Sequence, residues 1–157
     1  MPADERSRDP HPELPVDGDV APHASPGLVA LVALGGAIGA PLRYALSRAL
    51  PTEAGDLPTA TLLTNLAGAF ALGVLLEVLA RLGPDVGTRR LMRLAVGTGV
   101  LGAFTTYSTL AVEVTVLGRD GHGGLGAGYG LLSACAGFAA AAAGIALGSL
   151  VRRGTGR

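Results

Sequence analysis

Three clusters of polar residues interrupt long apolar stretches of this sequence, and a polar group in such surroundings is costly enough to mark function. The first is Gly35-Gly36-Ala37-Ile38-Gly39-Ala40-Pro41-Leu42-Arg43-Tyr44. Pro41 frees the carbonyl four residues back and predicts a kink. Arg43 either snorkels to the membrane interface or lends positive potential to a vestibule for anions. The second cluster, Thr59 to Gly68, carries Asn65, with Thr61 one turn earlier on the same helix face. The Asn65 amide offers two donors and an acceptor; it either bridges helices or faces an anion. The third runs from Gly97 to Glu113 and sets Gly97, Gly99 and Gly102 ahead of the hydroxyl run Thr105-Thr106-Tyr107-Ser108-Thr109. This is poor helix chemistry. It predicts a break near Gly102–Thr106 whose unpaired carbonyls suit a small cation. The alternative is a glycine-kinked helix with its hydroxyls bonded back to their own carbonyls.

Other chemistries find no residues. Nothing is placed for covalent or acid–base catalysis, so the chain is not read as an enzyme. Cys135 is the sole cysteine, and His11, His23 and His122 stand apart, which excludes an internal disulfide and speaks against a Cys/His metal site. The formal net charge of zero removes the case for a nucleic-acid partner.

The elements that must position the clusters are long and apolar. The 157 residues are 49% hydrophobic and 15% charged, with 25 glycines, no Trp and a mean hydropathy of +0.47. Residues 1–26 hold six of the twelve acids and six of the ten prolines, and read as a disordered, acidic, Pro-rich tail. Residues 27–157 read as a single four-helix transmembrane domain. Apolar stretches run over about 27–50, 59–82, 90–118 and 125–151, and a spanning helix needs roughly 20 such residues. Lipid leaves no partner for an open strand, so the fold class is an all-α integral membrane protein with four transmembrane helices. The pairs Gly35/Gly39, Gly126/Gly130 and Gly144/Gly148 each place small residues on one helix face, as close packing in lipid requires. Every basic residue is Arg. Arg81, Arg89, Arg90, Arg93, Arg152, Arg153 and Arg157 fall near one side of the membrane, against Arg48 and Arg119 on the other. The positive-inside rule then predicts a multi-pass cell-membrane protein with both termini cytoplasmic and one fixed orientation.

The three clusters, in this order and on these spans, resemble the signature segments of the fluoride channel family (CrcB, or Fluc): G-G-x-x-G-A-x-x-R-Y, T-L-x-x-N-x-x-G and G-x-x-T-T-F-S-T-F-S-x-E. The resemblance covers about residues 30–150. It implies four-helix subunits packed as an antiparallel dimer, helix three broken in mid-membrane, and two narrow pores that conduct fluoride passively out of the cytoplasm. It implies that Asn65 donates to fluoride. Tyr107 and Leu110 fall on the two pore phenylalanines, with Ser108 and Thr109 between them. Tyr129 and Ser133 match a Tyr and a Ser on helix four. Arg43 and Glu113 take vestibule positions. A structural sodium ion at the dimer centre would be held by the backbone carbonyls of Gly102 and Thr105.

The sequence departs from the family pattern in two ways. Tyr107 keeps a ring and adds a hydroxyl, whereas Leu110 removes the second ring and its positive edge. The Arg bias points to a subunit that pairs with a related, oppositely oriented partner. Two other readings are a proton-coupled four-helix exporter using Glu77 or Glu113, and a non-conducting partner subunit of a heterodimeric channel.

Overall fold

In a computed structural model, the structure describes residues 25–53 and 55–151. The tail expected over 1–26 lies outside these except for Ser25 and Pro26, as do Arg152, Arg153 and Arg157. Helix α1 spans Pro26–Ala49 and α2 spans Thr59–Leu82. A third run starts with α3, Thr88–Met92, widens into a π-helical stretch over Arg93–Leu101, and returns to α geometry in α4, Gly102–Phe104. Thr105 and Thr106 are extended, and α5 then covers Tyr107–Arg119. The last helix, α6, is Gly123–Gly148. Among the described residues there is no strand. Four spans, Pro26–Ala49, Thr59–Leu82, Thr88–Arg119 and Gly123–Gly148, are long and apolar enough to cross a membrane.

The interior is made mainly of small and hydroxylated residues, with Leu79 and Leu117 the large aliphatic exceptions. Ala60, Thr61, Thr64, Thr106, Tyr129 and Ser133 are buried, together with glycines on every span, whereas Leu34, Leu131 and Phe138 face outward. A soluble core would reverse this order. Here the large apolar side chains match a lipid solvent, and the helices gain from close backbone approach. A Cβ at Gly35 or Gly39 of α1 would strike the carbonyl oxygen of Ala95 or Val100 in the π-helical stretch. On α6, Gly144 lies on the Phe70 carbonyl and Gly148 on Val74 and Glu77 of α2, while Gly126 and Gly130 lie on Val114 of α5. The three glycine pairs singled out in the sequence are thus the three seams of the bundle. Helix α1 continues through Pro41 to Ala49.

The π-helical stretch has no counterpart in the sequence reading. At its end the Gly102 amide donates to the carbonyl of Gly97, five residues back. Such wide turns are uncommon and concentrate at functional sites. This one ends directly before the extended pair Thr105–Thr106, narrowing the break expected over Gly102–Thr106 to two residues.

Candidate functional site

The extended pair is the centre from which the polar residues are arranged. In a continuous helix the Thr106 amide would bond the Gly102 carbonyl, and the Thr109 amide the Thr105 carbonyl. Neither bond is made. The Thr106 amide donates instead to Asn65 Oδ1 at 2.8 Å, and Asn65 Nδ2 donates to the Thr106 carbonyl at 2.9 Å. Asn65 on α2 therefore clasps one residue's backbone on both sides, as a neighbouring strand would. This pairing also fixes which end of the amide is oxygen. The Thr109 amide donates to Thr106 Oγ1 at 3.1 Å, so Thr106 is the N-cap of α5. The carbonyls of Gly102 and Thr105 are thereby released from their helical partners.

Arg43 reaches one of them: its Nη1 donates to the Thr105 carbonyl at 3.3 Å. A guanidinium inside a span is stabilised by such an acceptor. Gly68 of α2 makes room on the other side of the break, because a Cβ there would collide with Thr105 Cγ2.

Two cavities lie back to back across Thr106. The larger, of about 480 Å³, is lined by Asn65, Thr105, Thr106, Tyr107, Leu110, Ser133 and Phe138 among others. Its wall is apolar apart from these few groups. Tyr107 and Phe138 flank it at 82% and 81% exposure, so their rings are available to a neighbour or to lipid. Ser133 Oγ is buried with no hydrogen-bond partner. The smaller cavity, of about 240 Å³, is the more polar of the two and is lined by Arg43, Tyr44, Thr61, Thr64, Thr106 and Thr109 among others.

A third grouping ties the spans together. Glu113 accepts hydrogen bonds from Thr61 Oγ1 and from the Tyr129 hydroxyl, both at 2.7 Å. The carboxylate of α5 is thus held by α2 and α6 together. Tyr129 is only 1% exposed.

The residues predicted from sequence therefore divide into three neighbourhoods. Asn65, Tyr107, Leu110 and Ser133 surround the larger cavity with Gly102 and Thr105. Arg43 and Thr109 line the smaller one. Glu113 and Tyr129 bond each other, and Tyr129 lines neither cavity. The hydroxyl of Ser108 stands 3.3 Å from Thr106 Oγ1. Sequence reasoning missed Thr106 as the clasped residue and Phe138 as a cavity wall. The hydroxyl run gave a signal for Thr106. No signal marks Phe138, an apolar residue five positions beyond Ser133 in an uncharged span.

Comparison with known proteins places this geometry. Residues 30–145 match the family model described as CrcB-like protein, Camphor Resistance (CrcB). The chain is 48% identical over 112 residues to a protein of Cutibacterium acnes named fluoride-specific ion channel FluC 1, covering 71% of this chain and 78% of that one. It is 49% identical over 126 residues to fluoride-specific ion channel FluC 2 of Leifsonia xyli, covering 79% and 86%. A FluC of Agrobacterium fabrum is 42% identical over 121 residues, covering 76% and 94%. Matched across all four spans, with the polar clusters gathered at a single break, this multi-pass membrane protein belongs to the CrcB family.

Proposed function

We propose that the chain is a fluoride-specific channel subunit through which fluoride leaves the cytoplasm by passive conduction. The observation that carries this reading is the Asn65–Thr106 clasp on the wall of the larger cavity, in a chain whose relatives bear the name of fluoride channels.

Fluoride is small and strongly hydrated, so a path must replace its water with donors and still release it. Each Asn side chain has two amide N–H donors. One at Asn65 is spent on the Thr106 carbonyl, which leaves one for the ion. Ser133 lies on the same cavity with its hydroxyl buried and unpartnered, so a turn about its χ1 would bring a second donor to the ion. Ring edges of Tyr107 and Phe138 add weak positive potential at the rim. Leu110 offers none. On the other side of Thr106, the Arg43 guanidinium and the Thr109 hydroxyl give an entrance that favours anions, while the Thr61 and Thr64 protons are spent on Glu113 and the Ala60 carbonyl.

A structural sodium ion fits the donor set. Hard cations take oxygen ligands, and the carbonyls of Gly102 and Thr105 are released together at the break. Thr105 already accepts from Arg43 with one lone pair and keeps the other. Two carbonyls are too few for a cage, so a second subunit would have to bring its own pair. Bound there, sodium would supply positive charge at the centre of the assembly and join its subunits.

The assembly we propose is an antiparallel dimer. The outward Tyr107, Phe138 and Leu131 leave apolar faces for a partner. The Arg bias favours one orientation, with cytoplasmic termini, and hence a related partner of opposite bias. Leu110 supports a second reading, in which this subunit leaves conduction to that partner. The exporter reading loses support. Glu77 is paired with Arg81 at 2.6 Å, and Glu113 is held by two hydroxyls; neither acid faces a cavity wide enough for an organic substrate.

Fluoride efflux from liposomes holding only the purified chain, read by electrode against chloride controls, tests the proposal. Rapid fluoride-selective efflux that Asn65→Asp abolishes is the expected result. Efflux that requires a proton gradient, or that passes chloride equally, would refute it. Efflux only after co-reconstitution with an oppositely biased relative would select the heterodimer.

A further inference from the structure

The end of the bundle remote from the break carries a feature that fluoride conduction does not use. The loop from Gly83 to Gly87 joins α2 to α3, and beneath it lies a cavity of about 170 Å³. Its walls divide by chemistry. Leu76, Leu79 and Ala80 of α2 form an apolar side, and Asp85, Arg89 and Arg93 a charged mouth.

The charges at the mouth do not cancel. Asp85 is committed to Arg93, with contacts of 2.8 Å from Nε and 2.6 Å from Nη2 to one carboxylate oxygen. Glu77 is committed to Arg81. Arg89 is oriented instead by the backbone: its Nε donates to the Pro84 carbonyl at 2.8 Å, and its guanidinium lies against Gly83. At Gly83 the φ of 134° is open only to glycine, so this seat for the guanidinium is built into the loop. The Nη groups of Arg89 and the whole guanidinium of neighbouring Arg90 have no acidic partner among the described residues.

We propose that this cavity binds the phosphate headgroup of an anionic phospholipid. Arg89 at the mouth would take the phosphodiester, with the charge of Arg90, next to it in α3 though outside the lining, adding to the attraction, and the acyl chains would run down the Leu76–Leu79 side. Charge complementarity selects an anion. The apolar wall, at the end of two membrane-spanning helices, selects a lipid over free phosphate. Juxtamembrane arginines attract anionic lipid by about fivefold each, so the pair should favour it over a zwitterionic lipid by roughly twenty- to thirtyfold at low ionic strength.

The chain has no Trp, so one introduced reporter is unambiguous. Leu82→Trp places it one turn from Leu79, at a half-exposed position outside the proposed pore. The full chain carrying this change is reconstituted in mixtures of brominated phosphatidylglycerol and brominated phosphatidylcholine. Stronger quenching by the anionic lipid at equal mole fraction is the expected result. Arg89→Gln with Arg90→Gln should remove the excess, and Arg48→Gln with Arg119→Gln should not. Equal quenching by both lipids would overturn the proposal without any Arg variant. An excess that survives the Arg89/Arg90 changes would also overturn it. Loss of the excess to inorganic phosphate at constant ionic strength would reassign the cavity to a free anion.

Discussion

Replacing Asn65 with Leu removes the clasp while keeping a side chain of similar size. The Thr106 amide and carbonyl both lose their partner, and Thr106 is only 8% exposed. A buried backbone group left unpaired costs about 1–3 kcal/mol, so the two together place the change at roughly 2–6 kcal/mol. That penalty falls at one residue and not along the helices, because α4 and α5 keep their own bonds. Counting the amide's own lost bond alone, about 1–3 kcal/mol, exchange at Thr106 should speed up by at least about 5- to 150-fold. Exchange elsewhere in α2 and α6 should be unchanged.

Hydrogen–deuterium exchange in lipid nanodiscs, followed on peptides from Leu101 to Leu110, measures this beside fluoride efflux. Faster exchange confined to that stretch, with efflux lost, is the expected pair of results. Lost efflux with unaltered exchange would refute the reasoning, since Asn65 would then act on the ion without shaping the break.

Other perturbations follow from the same contacts. Glu113→Gln puts an amide N–H₂ against one of two donor hydroxyls, Thr61 or Tyr129. It should lower stability by about 1–3 kcal/mol, and a double-mutant cycle with Tyr129→Phe, read by thermal unfolding, should show strong coupling. Gly39→Ala and Gly144→Ala drive a Cβ into backbone carbonyls and should each prevent assembly or lower stability by several times the ~1 kcal/mol that helix propensity would return. Gly137→Ala, which meets nothing within 4 Å inside the subunit, is the matched control. The hydrogen bond from Arg93 holds the Asp85 carboxyl below its ordinary 3.8. This contribution to stability is fully present above that value and is lost as pH falls through the lower folded-state value. Arg93→Gln should therefore raise the Asp85 pKa, as carboxyl-carbon NMR would show, and leave stability at pH 7 nearly unaltered, since the pair is exposed.

The spans were legible because apolar length is a local property. The stretch expected over 59–82 coincides with α2, and the others differ by a few residues at their ends. Glycines four apart were legible for the same reason, since each pair declares a helix face before its partner is known. The clasp was not. Asn65 and Thr106 are 41 residues apart, and nothing in either segment says that the amide pairs with backbone and not with a side chain. The π-helical stretch was hidden too. Gly97 and Gly99 signal weak helix chemistry, but not that it resolves by a wider turn against Gly35 and Gly39. For Glu113 the sequence offers only a vestibule position, by resemblance, or a proton site. Its two hydroxyl partners come from different helices and appear only with the packing.

The break shows why polar side chains gather where helical bonding fails. Interrupting a helix in a water-free medium strands backbone groups, each of which needs a partner. At Thr105–Thr106 the structure meets that need with specific side chains: Asn65 for Thr106, Arg43 for one lone pair of Thr105, and the Thr106 hydroxyl for the amide of Thr109. Every one of these side chains is therefore fixed in place by a structural duty. What remains of their capacity is the second N–H of Asn65, the charge of Arg43 and the second lone pair of Thr105, all on residues that line the two cavities meeting at Thr106. Rigid donors with capacity to spare suit an ion that must be desolvated quickly and released. A flexible Asn on an unbroken helix would offer the same atoms without the preorganisation.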